Sequence, residues 1–273
     1  MTSASLWGND LFGEPIRPKP KSTLHGRFTV PPFSVLNARE GDWQERKRAW
    51  LSTGIRSEVG READRLGLSS SCERYRESHA SYDADGCQGT NEKATSVFDP
   101  VLCELAYEWF CPPGGQVVDP FAGGSVRGIV AATLGRRYWG CDLRPEQIEA
   151  NKAQRAAICP DADLSWVAGD ATDALPSAPA ADFLFSCPPY GSLEKYSDDP
   201  RDLSAMGLSG FTDAYRKIIG LACDRLKRDR FACFVVGEYR LPGGQYANLV
   251  GQTVAAFEAA GLAFYNEAIL ITP

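Results

Sequence analysis

The sequence predicts an α/β fold: a mostly parallel sheet with helices on both faces, behind an irregular N-terminal extension. Three observations carry it. From Ser96 onward, short apolar runs alternate with helical stretches, the pattern of repeated strand–helix units. The first run, Val117-Val118-Asp119, passes through Gly123-Gly124 into a helix, the strand–turn–helix unit with which Rossmann-like sheets bind nucleotides at their carboxyl edge. Four of the predicted strands end in acids or in rigid, aromatic residues rather than in generic turn residues.

The strands fall at 116–119, 138–142, 164–168, 182–187, 231–236 and 264–271, and the helices between them at about 126–134, 145–157, 211–227 and 247–260. Upstream, Phe98-Asp99-Pro100 opens an apolar-periodic helix from Val101 to Phe110, which Cys111-Pro112-Pro113-Gly114-Gly115 breaks. Residues 95–273 form the catalytic domain and 1–94 the extension. Within the extension, 1–27 reads as an extended or disordered arm, and Thr29–Leu36 as a short edge segment because its prolines exclude a central strand. Trp43 to Leu51 reads as a helix whose Arg46, Lys47 and Arg48 either face phosphates or form a solvated face. Residues 52–94 read as a lid or a substrate-ordered loop.

Composition bounds the function. A chain of 273 residues with 44% hydrophobic content holds one large domain plus an appendage. No apolar run is long enough for a transmembrane helix, and Met1 to Trp7 lacks a signal pattern, so the expectation is a soluble protein of the cytoplasm. Nine scattered cysteines without a CxxC pair argue against a zinc ribbon and for reduced core thiols. The net charge of −6 does not itself suggest nucleic acid. Residues 1–80, however, hold 13 Lys+Arg against 10 Asp+Glu, and the remainder 16 against 25.

The chemistry gathers at the strand ends. Gly123 and Gly124 permit positive φ and close approach of a ligand to the backbone, and the helix after Ser125 presents free N–H groups. Asp142, about 20 residues on, ends the second strand where an acid binds ribose hydroxyls. Asp170 ends the third strand and can accept from the exocyclic amine of an adenine. The fourth runs into Cys187-Pro188-Pro189-Tyr190, where two prolines fix the backbone and a tyrosine offers a flat face for a planar base.

In these residues the chain resembles the S-adenosylmethionine-dependent DNA amino-methyltransferases, which act on adenine N6 or cytosine N4. The family's glycine motif, Asp-Pro-Phe-x-Gly-Ser-Gly, is similar to Asp119, Pro120, Phe121, Ala122, Gly123, Gly124 and Ser125, with the last two exchanged. Its (Asp/Asn/Ser)-Pro-Pro-(Tyr/Phe) motif is similar to Cys187-Pro188-Pro189-Tyr190, and its segment before the glycine motif to Thr95, Ser96 and Phe98. The resemblance covers residues 95–273. It implies a class I methyltransferase sheet of the seven-stranded type, S-adenosyl-L-methionine as cofactor, and double-stranded DNA as partner, with the target base flipped out of the stack. It also implies a setting in restriction systems or phage, no membrane partner and no metal. Tyr190 would stack on the base, while the Pro188 carbonyl and residue 187 would accept hydrogen bonds from its amine.

The departure is Cys187, since a thiol is a poorer acceptor than a carboxylate or hydroxyl. It leaves three roles open for Cys187: acceptor, nucleophile toward a pyrimidine, or structural thiol. Ser186 is an alternative acceptor. Glu194, Lys195 and Tyr196 in the next loop, and Glu238 or Arg240 after the fifth strand, are further candidates for the pocket rim. Rival readings are a methyltransferase of the same fold acting on RNA or a protein amide, and a catalytically silent nucleic-acid- or cofactor-binding module.

Overall fold

The computed structural model describes residues 34–39, 41–56, 98–191, 196–241 and 243–272. The arm 1–27, most of residues 52–94, Thr95, Ser96, Glu194 and Lys195 lie outside them.

In chain order the elements are β1 (Val35–Asn37), α1 (Asp42–Leu51), α2 (Pro100–Phe110), β2 (Gln116–Asp119), α3 (Val126–Thr133), β3 (Arg137–Asp142), α4 (Pro145–Ile158), β4 (Leu164–Ala168), α5 (Ala171–Ala174), β5 (Ala181–Ser186), α6 (Leu208–Cys223), β6 (Leu226–Phe234), α7 (Leu249–Ala259) and β7 (Ile269–Ile271). Among the described residues β2 to β6 form one five-stranded, wholly parallel sheet in the order β4-β3-β2-β5-β6. Successive strands step outward from β2 to β3 and β4, then return to its other side with β5. The strand order therefore reverses between β2 and β5, and an open α/β sheet forms its ligand crevice at the carboxyl ends flanking such a point.

The sheet is covered on both faces, so its central strands carry no polar alternation. Val117, Phe183 and Phe185 pack with Tyr107 of α2 and Ile129 and Val130 of α3. Val118 and Leu184 face the other way, onto Leu175, Tyr215, Ile218 and Ile219. Phe183 and Phe185 stack on each other (5.7 Å between centroids), and Tyr107 meets Phe185 edge-on at 5.4 Å, favourable aromatic geometries. Four cysteines, 103, 111, 141 and 223, are buried and free, and burial pushes each thiol pKa up, that of Cys111 to about 11.

Part of the extension is built into this body. Asp99 caps α2 by accepting from the Val101 amide at 2.9 Å, with Pro100 at the first helical position. The Trp43 indole of α1 donates to the same Asp99 (3.2 Å), Lys47 pairs with it at 3.1 Å, and Arg46 and the Trp50 indole both donate to Glu104. Two of the three basic residues considered for phosphate contact are thus ion-paired within the fold.

Three elements differ from the sequence reading by three residues or more at one end, among them β6, which is Leu226–Phe234 rather than 231–236. The long helix runs Leu208–Cys223 rather than 211–227, because Leu226 already begins β6. The charged start of β6 mimics a helix face in sequence. It is drawn into the sheet because Asp182 of β5 accepts from Lys227 (2.8 Å), Arg230 (3.4 Å) and the Gln116 amide (2.9 Å). The last strand is Ile269–Ile271, not 264–271, and it pairs in parallel with β1 as a separate two-stranded ladder. The run before it leaves Tyr265 73% exposed, with its ring edge-on to Phe231 at 5.1 Å. Among the described residues there are seven strands, of which five share the main sheet. Among the described residues no helix is long and apolar enough to cross a membrane.

Two helix glycines test this packing in opposite directions. A Cβ on Gly128 of α3 would lie 2.5 Å from the Trp166 ring, whereas one on Gly220 of α6 would meet nothing within 4 Å. Urea unfolding is expected to show Gly128→Ala destabilised by about 1–3 kcal/mol and Gly220→Ala stabilised by up to about 1 kcal/mol.

Candidate active site

The tips of β2 and β5 are joined by one carboxylate. Asp119 is fully buried and accepts from four donors: the Arg127 guanidinium (Nε, 2.6 Å), the Tyr138 hydroxyl (2.7 Å), the Phe121 amide (3.1 Å) and the Ser186 hydroxyl. Four donors saturate a carboxylate. Asp119 therefore holds the turn together from beneath and has no lone pair left for a ligand. Ser186 is equally committed: it is fully buried and also accepts from the Phe121 amide at 3.2 Å.

Above this junction lies a cavity. Its wall on the β2–β4 side contains Phe121, Gly123, Gly124, Asp142, Leu143, Arg144, Gly169 and Asp170. Its wall on the β5 side contains Cys187, Pro188, Pro189 and Tyr190, with Tyr196, Arg201, Asp202 and Leu203 from the following segment. Phe98 and Arg127 close it between the two. Of the residues singled out from the sequence, Phe98, Phe121, Gly123, Gly124, Asp142, Asp170 and all four of Cys187 to Tyr190 line it. Asp119, Ala122 and Ser125 are fully buried and do not. Glu238 instead caps α7, accepting from Leu249 (3.2 Å) and Val250 (3.0 Å), and Arg240 lies over the Tyr246 ring at 4.3 Å.

The glycine turn is held from both sides. Gly123 has φ +50, in the left-handed region that costs glycine least, and its amide donates to Asp142 at 3.1 Å. A buried chain reaches it from α4: Arg144 donates to Gln147 (2.9 Å), Gln147 to Asn151 (3.0 Å), and Asn151 to the Gly123 carbonyl (2.7 Å). The other Asp142 oxygen accepts from the Arg144 amide at 2.9 Å. The Arg144 guanidinium also lies 3.8 Å from that oxygen, and the carboxylate borders the cavity. Asp170 caps α5 through Thr172 (2.7 Å) and faces the same cavity. This side thus offers acceptors to a ligand rich in donors, such as a ribose diol or an amino-substituted ring.

The β5 side differs in chemistry. Cys187 Sγ lies 3.4 Å from the Tyr190 hydroxyl, which also donates to the Val235 carbonyl at 3.5 Å. Burial, and then the neighbouring thiol, raise the Tyr190 pKa, so the phenol stays neutral. Gly191 follows with φ +55, and a Cβ there would lie 2.3 Å from the Tyr239 hydroxyl. Tyr190 thereby packs against the segment after β6, through Val235 and Gly237, and lines the cavity. The next segment folds back through Asp202, which accepts from Ser204 N (2.8 Å), Ser204 Oγ (2.6 Å) and Ser197 (2.8 Å).

Sequence reasoning missed Arg127. It is 4% exposed, and its Nη2 donates to the carbonyls of Phe121 (2.5 Å) and Ala122 (2.9 Å), while its guanidinium lies 4.5 Å over the Phe98 ring. Burial works against its charge, but Asp119 more than offsets this and holds the pKa above the ordinary arginine value. Position 127 sits inside an apolar helix pattern, and the only available signal was an arginine where the core should be apolar. Gln147 and Asn151, both fully buried, were likewise hidden among ordinary helix-surface residues.

No protein-family model matches the chain, and no curated protein matches it. Among solved structures it is similar to magnesium protoporphyrin IX methyltransferase (ChlM) from Synechocystis PCC 6803 with bound SAM, at 13% identity over 73% of this chain and 84% of that one, with a TM-score of 0.45. It is also similar to precorrin-6y C5,15-methyltransferase from Geobacter metallireducens GS-15 (15% identity, 62% and 76% covered, TM-score 0.43). A third is TrmN from Thermus thermophilus (20% identity, TM-score 0.41), where the match takes in 50% of this chain and spans only 38% of the other.

Removing the shared carboxylate isolates its contribution. Asp119→Ala leaves the Arg127 cation buried without its partner, and the unfolding free energy should fall by about 3–5 kcal/mol. A loss under about 1 kcal/mol in urea titration would contradict the role given to this residue.

Proposed function

We propose that the chain transfers a methyl group from S-adenosyl-L-methionine to the exocyclic amino group of a DNA base flipped out of its duplex. One observation carries this reading: the Gly123-Gly124 turn and Cys187-Pro188-Pro189-Tyr190 open into one cavity, at the point where the strand order reverses. An acid-lined wall faces a wall built of two prolines and a tyrosine across a shared space.

The residues present fit the cofactor. Asp142, which borders the cavity beside the Gly123 turn, would take the ribose hydroxyls, and Asp170 would take the adenine amine. When bound, S-adenosylmethionine supplies a methyl group on a sulfonium, a centre already activated toward displacement. What remains for the protein is to position the acceptor nitrogen, exclude water and carry away one proton. Tyr190 would offer its ring to the extruded base, held by its contacts to Cys187 and Val235. The Pro188 carbonyl, which follows a strand tip fixed by Ser186 and Asp119, would accept from the amine and direct its lone pair. Cys187 in this reading orients Tyr190 through the 3.4 Å contact and borders the amine, which requires no covalent step.

The test is nucleoside mass spectrometry on DNA, RNA and protein incubated with the chain and isotopically labelled S-adenosylmethionine. The expected result is label in N6-methyladenine or N4-methylcytosine of DNA. Label confined to RNA or to glutamine would replace DNA with that acceptor, and label in C5-methylcytosine would move Cys187 to a nucleophile. Asp142→Ala should weaken cofactor binding about tenfold or more. Tyr190→Ala should abolish transfer with cofactor affinity unchanged within about twofold. A fully active Tyr190→Ala would remove the stacking role.

A further inference from the structure

We propose that Arg127 is the carboxylate-binding residue of this cavity, and that its free Nη1 receives the α-carboxylate of the amino-acid end of S-adenosylmethionine. The inference rests on the cofactor reading above and deepens it.

A guanidinium has five N–H donors in a fixed fork. In Arg127 three are spoken for: Nε–H on Asp119, and the two of Nη2 on the carbonyls of Phe121 and Ala122. Nη1 has no partner among the described residues, although the side chain is only 5% exposed. Nη1 is not one of the buried side-chain atoms left without a partner, so this end of the fork is accessible, and a ligand acceptor can reach it without displacing a protein contact. The side chain lines the cavity; Asp119 and the two turn carbonyls hold the guanidinium at its edge, and the Phe98 ring lies against it at 4.5 Å. The unoccupied end therefore has a fixed direction, as a recognition group needs.

The rest of the lining says what that end should meet. Asp142 and Asp170 present acceptors and would repel an anion, so the donor-rich adenosine belongs on their side. An acceptor-only anionic group belongs at the cation. Three arginines line the cavity. Arg201 is exposed and chelates Asp199, with Nε at 3.0 Å and Nη2 at 2.7 Å. Arg144 is spent on Gln147 at 2.9 Å and lies 3.8 Å from Asp142. Arg127 alone is nine-tenths buried, and it donates to the turn carbonyls of Phe121 and Ala122. Charge-assisted hydrogen bonds of this kind are about twice as strong as neutral ones.

The experiment compares S-adenosylmethionine with its decarboxylated analogue, which keeps the sulfonium, the adenosine and the amine, by titration calorimetry. The native chain should bind the decarboxylated compound about tenfold or more weakly. Arg127→Gln combined with Asp119→Asn removes both buried charges together, and in that variant the preference should shrink to under about threefold. Arg127→Lys, which keeps charge without the fork, should retain part of it. Equal binding of the two compounds by the native chain overturns the assignment while leaving the cofactor reading in place. Full preference in the double variant overturns it in the same way. Binding of neither compound overturns both. Should the double variant fail to fold, shown by its melting curve, the native and Arg127→Lys comparisons decide alone.

Discussion

The molecule is organised around a carboxylate that no ligand can reach. Asp119 stands at the tip of the central strand and takes four hydrogen bonds, one each from its own turn, the next helix, the neighbouring strand on one side and the neighbouring strand on the other. An unpaired charge in this setting would be expelled or neutralised, so all four donors must be present together. Their sources are β3 through Tyr138, β5 through Ser186 and α3 through Arg127. The relative positions of the glycine turn and the Pro-Pro segment are therefore tied to one buried atom group. A cavity whose two walls come from different strands needs such a tie, because a shift of about 1 Å between the walls would misplace whatever they hold.

The same economy explains the short helix that comes from the far end of the chain. α1 gives two tryptophans and two cations to Asp99 and Glu104 of α2. Asp99 is also the cap of α2, and Phe98, the residue before it, closes the cavity. The start of α2 is fixed by contacts on both sides, which places Phe98 against Arg127. Charges that could have met phosphates are used to hold a cavity wall, so the positive balance of residues 1–80 overstates what this region can offer to an anionic partner.

Much of this was legible in the sequence because the signals were local. Val117-Val118 followed by Gly123-Gly124 states a buried strand and a turn with positive φ, and the Pro-Pro dipeptide states a strand end. What was not legible depended on contacts distant in sequence. Lys227 to Arg230 reads as a helix surface until Asp182, some 45 residues earlier, recruits it into a strand. The final apolar run reads as one long strand, yet only Ile269 to Ile271 finds a partner, and that partner is β1, more than 230 residues away in sequence. The motif position of Asp119 suggests a ligand contact, and only the count of its donors shows that it is full.

That count has a consequence for how the cavity divides its labour. With Asp119 saturated, the acids that line the cavity are Asp142 and Asp170 at the β3 and β4 tips and Asp202, itself holding Ser197 and Ser204, on the other wall; the buried cation is on α3. Acceptors and donor thus sit on opposite flanks of the glycine turn, which orients a ligand carrying donors at one end and an anion at the other before any shape is considered. The Pro-Pro-Tyr segment itself adds no charge, since the Tyr190 phenol is held neutral by burial. A positively charged centre between the two ends would border Cys187, Pro188, Pro189 and Tyr190 rather than an ion. Weak electrostatic contact there leaves such a centre reactive, whereas a carboxylate at the same place would hold it as an ion pair. The replacement of the expected acid by Cys187 is consistent with that arrangement: the position keeps its contact to Tyr190 without adding a charge to the middle of the cavity.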